Sequence, residues 1–180
     1  MKFTATPLND AYLIDLETRE DERGFFARYF CEKEFCDAGL NTTWVQVNNS
    51  LSKTVGTLRG LHYQILPHSE VKIVRCIKGA IWDVIVDMRN DSTTFGQWYG
   101  TELNSNNRTM MYVPKGFAHG FVTLQPDSEI IYMVSNRYEP LSERTLIWSD
   151  ETVAINWPIT PLIISDKDKM GQQFKDLVKI

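Results

Sequence analysis

Alternation of apolar and polar residues at a period of two dominates the middle of the chain. Ile81 to Met88 is the clearest stretch. Trp82, Val84, Val86 and Met88 share one face, and Ile81, Asp83, Ile85 and Asp87 share the other. Lys78-Gly79 marks the turn before it. Val71 to Ile77 alternates as well, with Lys72 and Val74 on one face. Asn104 to Asn107 reads as a polar turn between strands Tyr99–Leu103 and Thr109–Val113. Glu129 to Val134 predicts a further strand. Helical signal is confined to the ends. Cys31 to Ala38 predicts a short helix stopped by Gly39, and Asp166 to Lys179 a second with Ser165 as its N-cap. Many short strands with helices only at the flanks predict an all-β fold, a sandwich or barrel whose mouth suits a ligand. Without internal repeats or long linkers, residues 1–180 read as one domain.

Composition narrows the function classes. The formal net charge is -4 with no basic block, which disfavours general nucleic-acid binding. A few basic residues converging in one cleft still suffice for an anionic small molecule. Cys31, Cys36 and Cys76 lack any paired or metal-binding spacing and read as free thiols of a reducing compartment. No apolar run reaches the length of a membrane span, and Met1 to Asp15 lacks the apolar core of a signal peptide. The expected location is the cytoplasm.

The chain has three histidines. His62 sits in Arg59-Gly60-Leu61-His62-Tyr63-Gln64. His119 ends the Pro-x-Gly-x-x-His spacing of Pro114-Lys115-Gly116-Phe117-Ala118-His119, a turn-and-strand pattern of cupin barrels that points the histidine inward. His68 follows Pro67 in a polar loop and reads as exposed. Either framed histidine suits acid–base work near neutral pH, although each alone also fits a satisfied core group. Asp168 can orient a histidine through its second ring nitrogen, or merely favour a helix start. Tyr132 faces either a cavity or the core. Lys72, in an apolar strand, either snorkels to the rim or points at an anion. Asp83 is either inward or exposed.

In combination these segments resemble the dTDP-4-dehydrorhamnose 3,5-epimerase family from about Arg23 to Asp168. The resemblance is carried by Asp21-Glu22-Arg23-Gly24-Phe25-Phe26, Gln46-Val47-Asn48-Asn49-Ser50, Leu58-Arg59-Gly60-Leu61-His62-Tyr63-Gln64 and Lys72-Ile73-Val74. It continues through Asp83-Val84-Ile85-Val86-Asp87-Met88-Arg89, Thr94-Phe95-Gly96, the His119 segment, Tyr138-Glu139-Pro140 and Ser165-Asp166-Lys167-Asp168. It implies a cupin-type antiparallel barrel, or jelly roll, acting as a homodimer with no metal or other cofactor. The implied substrate is a nucleotide-linked 4-keto-6-deoxy sugar. The resemblance further implies His62 as general base held by Asp168, Tyr132 as general acid, Lys72 at the keto oxygen and His119 at the sugar. Arg59 and Lys167 would meet the diphosphate. Arg23, Phe26, Gln46, Asn48, Tyr138 and Glu143 would hold the nucleotide, some of them donated by the partner subunit.

The chemistry accounts for these residue types. A ketone at carbon 4 acidifies the hydrogens on carbons 3 and 5, because their removal leaves an enolate. A histidine can take such a proton, a cation can meet the oxyanion, and an acid across the ring can return a proton to the other face. Three positions depart from the family pattern: Arg28 in place of a glutamate, Glu70-Val71 before Lys72, and Met133 after Tyr132. Arg28 can only donate, which matches cytosine better than thymine and predicts a CDP-linked substrate. Competing readings are a metal cupin using His62, His119 and Glu70, a 4-keto sugar ketoisomerase, and a sugar-nucleotide-binding barrel without turnover.

Overall fold

The structure is a computed structural model and describes residues 1–177. Its strands are β1 (Lys2–Ala5), β2 (Tyr12–Asp15), β3 (Arg19–Asp21), β4 (Gly24–Phe26), β5 (Gln46–Ser52), β6 (Thr57–Gln64), β7 (Lys72–Lys78) and β8 (Ala80–Asp87). They continue as β9 (Trp98–Asn104), β10 (Met110–Val113), β11 (Phe117–Thr123), β12 (Ser128–Val134), β13 (Glu143–Thr145) and β14 (Ile163–Ile164). Two short helices, α1 (Glu32–Asp37) and α2 (Asp166–Lys169), flank them. One sheet has the order β1-β2-β10-β7-β12-β5. The other runs β13-β6-β11-β8-β9, with β14 added beside β6. The β3–β4 hairpin stands apart from both. All pairings are antiparallel except β14 with β6. This is the jelly roll of a cupin-type barrel, as the family resemblance implies, and it fits the sandwich or barrel that the alternation predicts.

The apolar residues form three layers. Val74, Cys76, Met111 and Ile130 of the first sheet pack against Ile81, Ile85, Phe117 and Phe121 of the second. Outside the second sheet, Val84, Val86 and Met88 are covered by Leu146, Val153, Phe174 and Leu177. Outside the first, Ile14, Ile73, Met110 and Met133 are covered by Phe35 of α1. Strand β8 is therefore buried on both faces, which is why its sequence is apolar at nearly every step. Helix α1, at six residues, is too short to persist alone. The fully buried Phe35 anchors it, a contribution of roughly 1.5–3 kcal/mol. Gly39, at φ +71°, ends it where the sequence predicts.

Two expectations are corrected. The second helix spans only Asp166–Lys169 rather than continuing to Lys179. After it, Gln172 bridges to Leu146, and Phe174–Asp176 forms one 3-10 turn. A side chain at Gly171 would meet Ile147 backbone atoms at 2.9 Å, so docking against that segment overrides helical propensity. The last two predicted helical positions, 178 and 179, lie outside the described residues. His68 is half-buried rather than exposed. Cys31, Cys36 and Cys76 are free, as expected. Among the described residues no helix is long and apolar enough to cross a membrane.

Candidate active site

The site begins with an irregularity in β6. Against β11, His62 pairs with His119 and Arg59 with Phe121, so three steps on β6 match two on β11. The extra residue is a β-bulge, and it reverses the facing of the strand. Arg59 and His62, which strict alternation would put on opposite faces, line the same cavity. Gly60 sits in the bulge at φ +122°, followed by a cis peptide to Leu61. A Cβ at Gly60 would lie 2.5 Å from Gly120 Cα, so only glycine fits.

The cavity is about 450 Å³ and opens between the two sheets. Its walls include Arg59 and His62 of β6, His119 and Phe121 of β11, Lys72 of β7, Tyr132 of β12, and Lys167 and Asp168 of α2. An adjoining hollow of about 180 Å³ shares His62, Lys72 and Tyr132 and adds Gln46, Asn48, Glu70, Tyr138 and Glu143. His62 and Tyr132 thus come from opposite sheets.

His62 Nε2 lies 2.6 Å from Asp168 Oδ1. The other carboxylate oxygen accepts the Gly60 N–H at 3.2 Å. Ser165 caps α2, its hydroxyl accepting the Asp168 N–H at 3.1 Å, as the N-cap assignment predicts. Burial pushes the Asp168 carboxyl up, but the hydrogen bond and charge of His62, with the Gly60 N–H, hold it below the ordinary value of 3.8. An ionised carboxylate only accepts, so Nε2 carries the shared proton, and in the neutral imidazole Nδ1 holds the lone pair. That is the form a general base requires.

Lys72 is buried, with Nζ 3.3 Å from the His62 carbonyl and 3.2 Å from Glu70 Oε1. The Tyr132 phenol is pushed above its ordinary value of 10.0, first by burial and then by the charge of Glu70. His119 Nε2 lies 2.8 Å from Asp83 Oδ1, and Asp83 is fully buried. Asp83 therefore points inward, resolving the alternative left open by its strand. The His62–Asp168 contact joins strand and helix across 106 residues of sequence.

The family model for dTDP-4-dehydrorhamnose 3,5-epimerase matches residues 5–176. The chain belongs to this family. It is 42% identical over 177 residues to the dTDP-4-dehydrorhamnose 3,5-epimerase of Shigella flexneri, covering 98% of this chain and 97% of that one. The crystal structure of the Elizabethkingia anophelis dTDP-4-dehydrorhamnose 3,5-epimerase superposes with a TM-score of 0.95 at 44% identity, covering 98% and 97% of the two chains. A Legionella pneumophila dTDP-6-deoxy-D-glucose-3,5-epimerase, solved in complex with dTDP-4-keto-L-rhamnose, gives a TM-score of 0.92 at 35% identity, covering 98% and 94%. The chain is accordingly an epimerase.

In this epimerase a second cluster lies beside the dyad. Glu143 Oε2 accepts from Tyr138 Oη at 2.9 Å and from Lys167 Nζ at 2.5 Å. Burial pushes Glu143 up, but these two donors bring it net below its ordinary value. Arg59 is steadied by the Ser52 hydroxyl at 3.1 Å and the Leu51 carbonyl at 3.3 Å. Gln46 donates to Asn48 at 2.8 Å. Arg23, Phe26 and Arg28 line neither cavity. Arg23 pairs with Asp21 at the exposed hairpin, and Phe26 is 69% exposed. Arg28 bonds Glu34 at 2.6 Å. Among the described residues no three His, Cys, Asp or Glu side chains converge on a metal position. His62 and His119 each turn Nε2 to a carboxylate, Asp168 and Asp83, and Glu70 pairs with Lys72.

Sequence reasoning left Glu70 without a role outside the metal alternative. Its signal was the spacing: it lies two residues before Lys72, just ahead of β7.

Proposed function

We propose that this epimerase acts as a homodimer of single-domain subunits and inverts carbons 3 and 5 of a dTDP-linked 4-keto-6-deoxyhexose, without a metal. His62 Nδ1 takes the proton next to the ketone, the Lys72 ammonium meets the enolate oxygen, and Tyr132 protonates the opposite ring face. Exchange with solvent then returns His62 and Tyr132 to their starting states. Asp168 stabilises the imidazolium formed in between. The observation that carries this reading is His62 of one sheet, paired with Asp168 of α2, facing Tyr132 of the other sheet across a sugar-sized cavity.

His119 lines the sugar end. Arg59 and Lys167 receive the diphosphate, whose charge suits two converging cations. Tyr138 stacks on the base, with Glu143, Gln46 and Asn48 beside it. Thymine is favoured by the names of the curated relatives. The donor argument for cytosine is not favoured, because Arg28 turns its Nη1 to Glu34 and lines neither cavity. Arg23 and Phe26 reach the neighbouring subunit's site. Support for pairing comes from the exposed Phe25 and Phe26 of the hairpin and from Val47 and Leu51 on the edge strand β5. A monodisperse, fully active monomer in solution would overturn the dimer. Three free thiols suit a cytoplasmic enzyme supplying deoxysugars for polysaccharides such as O-antigen.

The deciding experiment is solvent deuterium incorporation into dTDP-, CDP- and GDP-linked 4-keto sugars, read by NMR at each carbon. Deuterium at carbons 3 and 5 with inversion is expected. Migration of the carbonyl would indicate a ketoisomerase, and binding without exchange a non-catalytic barrel.

A further inference from the structure

We propose that Glu70 is a positioning residue for the epimerisation: braced by Gln64, its carboxylate holds the Lys72 ammonium with one N–H left for the enolate oxygen. The inference rests on Lys72 being the oxyanion partner.

Lys72 opens β7 and reaches across to β6, where its Nζ is 3.3 Å from the His62 carbonyl. Its second partner is Glu70 Oε1 at 3.2 Å. An ammonium has three N–H groups and no acceptor. With one N–H given to the His62 carbonyl and the charge drawn toward Glu70, the ammonium is placed before substrate arrives. A lysine without such a partner is a flexible stem whose ordering costs side-chain entropy. Preorganised donors are effective because they need not reorganise as charge develops.

Glu70 is itself held. Gln64 Nε2 is 3.1 Å from Glu70 Oε2, and the same amide group reaches the carbonyls of His68 and Arg137. Gln64 Oε1 accepts the Glu139 N–H at 2.6 Å. The brace therefore runs from loop backbone through Gln64 and Glu70 to Lys72. Both side chains of the ion pair are only 10% exposed, so water and salt screen it little.

The carboxylate also acts on Tyr132. The charged or titratable groups around that phenol are Arg59, His62 and Tyr63 of β6, Glu70 just before β7, Lys72 at its start, His119 of β11, Glu143 of β13, Lys167 and Asp168 of α2, and Tyr138. After burial, Glu70 is the strongest influence keeping the proton on Tyr132; Glu143 adds to it and Arg59 opposes it. Neutralising Glu70 should move the alkaline limb of kcat to lower pH.

The test compares Glu70→Ala, Glu70→Gln, Lys72→Met and the Glu70→Ala/Lys72→Met pair, each checked for folding by thermal unfolding. Glu70→Ala is expected to lower kcat about tenfold or more with little change in KM, since the effect belongs to the transition state. Glu70→Gln keeps an acceptor for Lys72, so it should recover most of kcat at neutral pH while its alkaline limb still moves down. In the Lys72→Met background, Glu70→Ala should add no further loss, because it acts through Lys72. Wild-type kcat and wild-type pH profile in both Glu70 variants would overturn the proposal. So would an undiminished loss in the Lys72→Met background. Normal activity of Lys72→Met would overturn the role of Lys72 itself, and the positioning role with it. A crippled Lys72→Met beside normal Glu70 variants would overturn the positioning role alone. Glu70→Gln, nearly isosteric, keeps the test informative if Glu70→Ala does not fold.

Discussion

Gly60 and Asp168 are joined by a backbone-to-carboxylate hydrogen bond of 3.2 Å, so the bulge in β6 and the dyad are one construction. The bulge turns His62 into the cavity, and its N–H steadies the carboxylate that orients the same histidine. Gly60→Ala would drive a Cβ to 2.5 Å from Gly120 Cα at a positive φ. We predict a loss of stability of about 1–3 kcal/mol or more, with activity falling further than the unfolded fraction explains. Thermal unfolding beside exchange kinetics checks this; an unchanged melting temperature with full activity would refute it.

His62→Ala should abolish deuterium exchange at every carbon, because no enolate forms. Tyr132→Phe should reduce inversion more than exchange, because the base can return a proton to the face it came from. Acid–base groups are typically worth about a hundredfold or more. Near-normal exchange in His62→Ala would remove the assigned base.

Asp168→Asn keeps the shape of the dyad but not its charge. We predict a drop in kcat of roughly 10²–10⁴-fold, because the amide neither selects the tautomer nor stabilises imidazolium. The folded carboxyl lies below the ordinary 3.8, so its stabilising contribution is complete above that pH and is lost as pH falls through the lower folded value. Stability of the variant should therefore depend less steeply on pH below about 3.8. Identical acid-denaturation profiles would show that the carboxylate is not linked to folding.

Enzyme treated with a chelator should keep full activity, since among the described residues no three His, Cys, Asp or Glu side chains converge on a metal position. Activity lost on chelation and restored by one added metal would sink this reading.

Calorimetry should rank dTDP above CDP and GDP, and Arg28→Glu should leave that ranking in place. Arg28 turns its Nη1 to Glu34 and lines neither cavity, so its replacement is expected to remove no contact to the base. Tighter binding of CDP, reversed by the substitution, would reinstate donor matching to cytosine.

Local pattern alone determined strands β7 to β10 and β12, the turn at Gly79, the helix closed by Gly39 and the Ser165 cap, because alternation, left-handed glycine and capping act over a few residues. The motifs of β6, β11 and α2 also named the site residues. Tertiary structure decided what depends on distant partners. Lys78-Gly79 reads as a turn, but only sheet assembly sends β7 to one sheet and β8 to the other. Strict alternation would have split Arg59 from His62; the pairing of β6 with β11 fixed the bulge that unites them. The segment after Lys169 has helical composition, yet contact with Ile147 and the bridge to Leu146 draw it into a different path. Glu70 stands two residues before Lys72 in the sequence, but its purpose depended on Gln64 arriving from β6 to brace it. In each case a contact across the fold outweighed, or completed, what neighbouring residues could specify.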